Sequence, residues 1–163
     1  MKATRVYRFK RVTPADLELL LNWQARPHLQ PWWDGLEPAD AEDLKDDRVA
    51  RWIVSYNGNP FAYMQDYTVH GWEGHHFAHL PKGSRGIDQY ISEADMLGKG
   101  HGSAFIGERV EQLFEDGAPV VAVDPHPDNA PAIAAYEKAG FDVFGPPADT
   151  PWGQILPMKK ERP

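Results

Sequence analysis

Leu97-Gly98-Lys99-Gly100-His101-Gly102-Ser103, running straight into Ala104-Phe105-Ile106, is the stretch that decides the fold. Its three glycines alternate with other residues and lead into an apolar pattern, Phe105, Ile106, Val110, Leu113 and Phe114, that recurs at helical spacing. Glycine lets a backbone approach a ligand with no Cβ in the way. A helix behind such a turn adds unpaired N–H donors and a positive dipole end. The layout therefore reads either as a phosphate-binding loop or as a plain glycine turn between a strand and a helix. A second block, Tyr136-Glu137-Lys138-Ala139-Gly140-Phe141, favours the first reading.

Working outward, residues 85–91 read as a strand, and so does the almost wholly apolar run 119–123, whose composition implies burial on both faces. Between them the helix spans about 102–115. Asp124-Pro125-His126-Pro127-Asp128 breaks the second strand, and Asn129 caps a helix through Ala139 that Gly140 ends. Upstream, residues 7–12 form a first strand. Thr13 and Pro14 start a helix with Leu17, Leu20 and Leu21 on one face, ended by Pro27. Residues 38–47 read as a short acidic helix. Strands 51–56 and 61–68 flank the turn Asn57-Gly58-Asn59-Pro60, a hairpin signal. Residues 69–81 are polar, His-rich and irregular. The last strands, 141–144 and 154–159, are joined by the proline-rich stretch 145–151. This order calls for one α/β (α+β) domain over 1–163, with helices on both faces of a mixed, mostly antiparallel sheet.

Composition narrows the function. The 163 residues carry a formal charge of −7, are 42% hydrophobic and contain no cysteine. A thiolate nucleophile, a disulfide framework and a thiolate metal site are thus excluded. The acidic balance disfavours nucleic acid and suits a cationic small molecule, although it also serves solubility. No signal peptide or membrane-length apolar run is recognisable, so a cytoplasmic protein is expected. His70, Glu73, His75, His76 and His79 fit no standard metal spacing; a solvated loop without metal is the expectation.

Arg85-Gly86-Ile87-Asp88-Gln89, the glycine loop, Asp124-Pro125 with Asn129, and the Tyr136–Phe141 block together resemble the GNAT superfamily of acetyl-CoA-dependent N-acetyltransferases. Within it, the pattern is similar to the aminoglycoside 6′-N-acetyltransferases. Leu97 stands where the superfamily usually has Gln or Arg, and the His-rich loop stands where the subfamily has an acidic substrate contact. The resemblance implies a GNAT fold and acetyl transfer from acetyl-CoA to the 6′-amine of a cationic aminoglycoside, giving resistance. Other readings stay open: a polyamine, a siderophore precursor or a protein N-terminus as acceptor, or a binding module without turnover. A homodimer is also left open.

Acetyl transfer to an amine needs a held thioester, a proton acceptor and a proton donor. The cradle would be the amides of Gly98, Lys99, Gly100, His101, Gly102 and Ser103, with Asn129 as cap, cofactor contact or both. Asp88, placed mid-strand where Asp is disfavoured, is implied as general base. Alternation sets it on one face with Tyr90, opposite Ile87, Gln89 and Ile91. Asp124 is either a substrate ammonium contact or a strand-end turn residue. Tyr136 is either the general acid, a phenol near ~10 donating to a thiolate near ~8.5, or a packing aromatic. Trp32, Trp33 and Asp34, with Glu37, form a substrate wall or a hydrophobic plug.

Overall fold

A computed structural model describes residues 6–33 and 40–163. Strands β1 (Tyr7–Arg11), β2 (Val49–Tyr56), β3 (Asn59–Thr68) and β4 (Arg85–Ile91) form an antiparallel run in sequence order. The β2–β3 hairpin turns on Asn57 and Gly58, both at positive φ (50° and 80°), as a tight two-residue turn between right-twisted strands requires. Strand β5 (Val120–Val123) then lies parallel to β4, and β9 (Met158–Glu161) and β6 (Asp142–Val143) complete a seven-stranded sheet ordered β1-β2-β3-β4-β5-β9-β6.

The faces follow from strand alternation. Ala62, Met64, Ile87 and Val121 point to α3 (His101–Glu115) and α4 (Ala130–Lys138), packing on Phe105, Ile106, Val110 and Tyr136. Ile53, Tyr63 and Tyr90 point the other way, onto Leu20 and Trp23 of α1 (Leu17–Gln24). Helices thus cover both faces of a mixed sheet, as expected, and β5 is buried along its whole length.

Two features position the site. First, β4 and β5 pair only at Arg85 with Val121 and Gly86 with Ala122. Beyond Gly86 the strands part, and among the described strands β4 continues to pair only with β3. Gly86 is required there because the Tyr67 ring crosses the position a Cβ would take. Second, α3 is fastened to the sheet by Asp66, wholly buried on β3. Its carboxylate accepts from Arg109 Nε at 2.9 Å, from Trp52 Nε1 at 2.8 Å, and from Arg85. The Arg109 guanidinium also lies over the Trp52 ring at 4.7 Å. Burial alone would raise the Asp66 pKa; hydrogen bonds and charge from Arg109, then Arg85, overrule it and hold the carboxyl below its ordinary value.

Three local expectations are corrected. Of the short helix expected over 38–47, the described residues 40–47 form only one 3-10 turn, Asp43–Lys45. Asp40 and Asp43 each accept from the other's backbone N–H, closing a local turn that competes with helix. The strand read over 154–159 splits at Pro157, which has no N–H for a ladder. Its first part, β8 (Gly153–Ile155), pairs with β7 (Ala148–Thr150), a strand hidden in the proline-rich stretch, and its second part begins β9. The His-rich stretch 69–81 is not a solvated loop. Val69, Phe77 and Leu80 are buried and pack on Tyr67, Val120 and Ala122, so it covers the sheet beside α1.

Asp66→Ala strands two guanidinium groups and an indole N–H, and is expected to cost about 3–5 kcal/mol in urea denaturation at neutral pH. Because the folded Asp66 pKa is lowered, its contribution is present above the unfolded value of ~3.9 and is lost as pH falls through the folded one. The gap between variant and wild type should therefore narrow in acid; a gap under about 1 kcal/mol at neutral pH contradicts this role.

Candidate active site

Register brings Arg51, Gln65 and Asp88 side by side on three adjacent strands. Gln65 Oε1 accepts from Tyr63 O–H at 2.8 Å and from Arg51 at 3.3 Å. These donors fix the amide, so Gln65 Nε2 faces Asp88 and donates to its Oδ2 at 2.9 Å. Asp88 receives a neutral donor where Asp66, on the neighbouring strand and opposite face, receives two cations. The consequence is opposite: burial, then the charge of Asp124, push the Asp88 pKa well above the ordinary carboxylate value.

Asp124 follows directly on β5, across the parting from Asp88. Its Oδ2 lies 2.9 Å from His76 Nε2. Both carboxylates line a cleft of about 380 Å³ that also reaches Gln89, Ala132 and Tyr136. Asp88 lies on the α1 face of β4, whereas Gln89 lies on the α4 face, as alternation anticipates. The cleft therefore passes through the sheet where β4 and β5 separate. Tyr136 is buried on α4, its hydroxyl accepting from Gln89 Nε2 at 3.4 Å. Burial raises its pKa, with Asp88 and Asp124 adding to the shift over the lowering by Gln89, so the phenol keeps its proton at neutral pH. A carboxyl acceptor on one face and a phenol donor on the other flank a single passage.

The glycine loop meets the same elements. Gly98 and Gly100 take positive φ (72° and 84°), and Gly100 is the left-handed N-cap of α3. The first bond into the helix runs from Ala104 N–H to Gly100 O, which leaves the amides of His101, Gly102 and Ser103 without intrahelical acceptors. Gly102 sits against Ile91 of β4 and Ala135 of α4, and Gly100 lies beside the Lys138 ammonium. Exposed Lys99 adds a cation. This suits a phosphate group at a helix N-terminus. The His101 imidazole is already engaged, 2.8 Å from Tyr7 Oη and packed on Tyr56 and Phe61, so this residue offers its amide rather than its ring. Ser103 Oγ donates to Gly100 O. Asn129 caps α4 through Ala132 N–H at 3.3 Å and also lines the cleft.

The outer walls are aromatic. Trp32, 40% exposed on α2 (Gln30–Trp33), approaches His126 with ring centroids 5.8 Å apart. Asp34, Glu37 and the side chain of Trp33 lie outside the described residues. The opposite wall was not anticipated. It comprises Tyr67, Trp72, His75, His76 and Trp152, the last at the β7–β8 turn. His75 is held neutral, its pKa pushed down to about 4 by burial and by neighbouring His76. Trp72, Phe77 and Leu80 interleaved with the histidines were the available signal that residues 69–81 pack inward. Gln65 carried no such signal, because its meaning depends on strand register. Among the described residues no three His, Cys, Asp or Glu side chains converge as a metal site, and no helix is long and apolar enough to cross a membrane.

The family model for a GNAT acetyltransferase domain matches residues 13–146. The chain is 36% identical over 167 residues to aminoglycoside N(6′)-acetyltransferase type 1 of Klebsiella pneumoniae, covering 93% of this chain and 81% of that protein. The solved structure of AAC(6′)-Ib with paromomycin and acetyl-CoA superposes with a TM-score of 0.88 at 34% identity, over 97% of this chain and 94% of the other. The same enzyme with coenzyme A and kanamycin gives a TM-score of 0.86 at 35% identity, over 96% and 95%. With this fold, this glycine loop and these matches, the chain belongs to the GNAT acetyltransferase family.

Proposed function

We propose that this cytoplasmic enzyme transfers the acetyl group of acetyl-CoA to the 6′-amino group of an aminoglycoside, an activity that confers resistance. The observation that carries this reading is the pair of carboxylates, Asp88 and Asp124, in a cleft that continues through the parted strands to Tyr136. Acetyl-CoA supplies an activated acyl group. The amides of Gly98 to Ser103 hold its pyrophosphate, with Lys138 and Asn129 nearby.

An aminoglycoside amine is largely protonated at neutral pH, as an ammonium without a lone pair. Asp88 takes that proton; its raised affinity makes it a better base than an ordinary carboxylate. The freed amine attacks the thioester carbonyl carbon, the nitrogen of the tetrahedral adduct gives its second proton to solvent, and the carbon–sulfur bond breaks. Tyr136 O–H donates to the departing sulfur and is reprotonated from solvent as Asp88 gives up its proton. Asp124 meets a second ammonium group, and Trp32 provides a face for a sugar ring. The overall charge of −7 favours a polycation.

Thiol release is expected with kanamycin and not with paromomycin, which carries a hydroxyl at the 6′ position; mass spectrometry should locate one added acetyl on the 6′ nitrogen. No release with any aminoglycoside from protein that binds acetyl-CoA contradicts the assignment. Asp88→Asn should lower kcat by about 10²–10⁴-fold while acetyl-CoA binding, followed by calorimetry, stays intact.

The raised Asp88 pKa also sets a stability sign. The folded carboxyl holds its proton to higher pH than the unfolded one at ~3.9, so stability falls as pH rises through that interval. Asp88→Asn should melt above wild type at neutral pH, and the two melting temperatures should converge towards about pH 4. A variant that melts below wild type at neutral pH contradicts the shift.

A further inference from the structure

Among the described residues, His76 is the polar partner that meets Asp124 from outside the sheet. Its Nε2 lies 2.9 Å from Asp124 Oδ2, and both side chains are mostly buried, at 16% and 18% exposure. The imidazole is clamped by stacking on His75 (ring centroids 4.1 Å apart, planes 23° apart), with Phe77 at 4.4 Å and Trp152 at 5.8 Å. Its second nitrogen, Nδ1, is buried without a partner. An acceptor carboxylate on one side and nothing on the other assign the hydrogen to Nε2. The ring is therefore a rigid one-point donor aimed at one oxygen of Asp124.

Asp124 needs such a partner. It follows the last residue of β5, beyond the two β4–β5 pairs, and Pro125 after it has no N–H to offer. Asp88 faces it as a second carboxyl that hydrogen-bonds it only while protonated; as the ionised base it offers no donor. We propose that His76 is a positioning residue for substrate recognition: its Nε2–H holds Asp124 Oδ2, so that Oδ1 is preset for an ammonium group of the aminoglycoside beside Asp88. The inference rests on the proposed function, because it takes Asp124 as an ammonium contact. It also accounts for a histidine-rich segment standing where the resemblance leads one to expect an acidic contact. Here the loop contributes a donor that orients a carboxylate supplied by the sheet.

Two variants separate hydrogen bonding from packing. His76→Phe keeps a flat ring in the aromatic stack but removes the donor. His76→Gln loses the ring but its amide Nε2 reaches a similar place. With kanamycin and acetyl-CoA, His76→Phe should lower kcat/KM for kanamycin about tenfold or more, through KM, with KM for acetyl-CoA unchanged. His76→Gln should recover most of that loss. In an Asp124→Asn background, His76→Phe should cost little more. Wild-type kanamycin kinetics in His76→Phe, or equal impairment in His76→Gln, overturns the proposal while leaving the enzyme's function standing. Wild type inactive on every aminoglycoside overturns both. Should His76→Phe fail to fold, nitrogen-15 NMR of the wild-type histidines decides: a hydrogen on Nε2 is expected, and one on Nδ1 alone overturns the assignment.

Discussion

The site depends on a carboxyl group placed in a buried setting with no cation to settle it. Asp88 and Asp66 make the contrast within one sheet. They sit on neighbouring strands and face opposite sides. Asp66 is met by Arg109 and Arg85, is held ionised, and fastens α3. Asp88 is met by the neutral Gln65 amide and by another carboxylate, and its proton affinity rises. The first arrangement gives stability; the second raises proton affinity, which suits the proposed base. Strong fastening on one face is what lets the fold tolerate an unfavourable carboxyl on the other.

Orientation comes from the same economy of contacts. Tyr63 and Arg51 turn the Gln65 amide, and the amide turns Asp88. The separation of β4 from β5 beyond Gly86 opens a way through the sheet, so that in the proposed reaction groups on opposite faces reach one substrate. Asp88 is on the α1 side and the phenol of Tyr136 on the α4 side. A continuous parallel pair would have kept the two apart.

Much of this was legible in the sequence because it is local. The Asn57-Gly58 turn, the Asn129 cap, the glycine loop and the alternation along residues 85–91 each depend on a few neighbouring residues. Asp88 stood out because an Asp in mid-strand has to be explained. What escaped depends on distant partners. Gln65 acquires its role from β2 and β4, and His76 from Asp124, 48 positions away. The histidine stretch was read by polarity, but Val69, Phe77 and Leu80 bury it and turn two imidazoles towards the cleft. Trp152 reached the wall on a hairpin hidden by the prolines around it.

Burial and the charge of Asp124 raise the Asp88 pKa above the ordinary carboxylate value, and the proposed reaction needs a carboxylate that still ionises to accept the amine's proton. Carbon-13 NMR of the aspartate carboxyl groups, titrated against pH in the folded protein and assigned with Asp88→Asn, tests it directly. The Asp88 resonance should titrate well above ~4 and move downward when Asp124 is replaced by Asn. An Asp88 carboxyl that titrates near ~4, indifferent to Asp124, contradicts it.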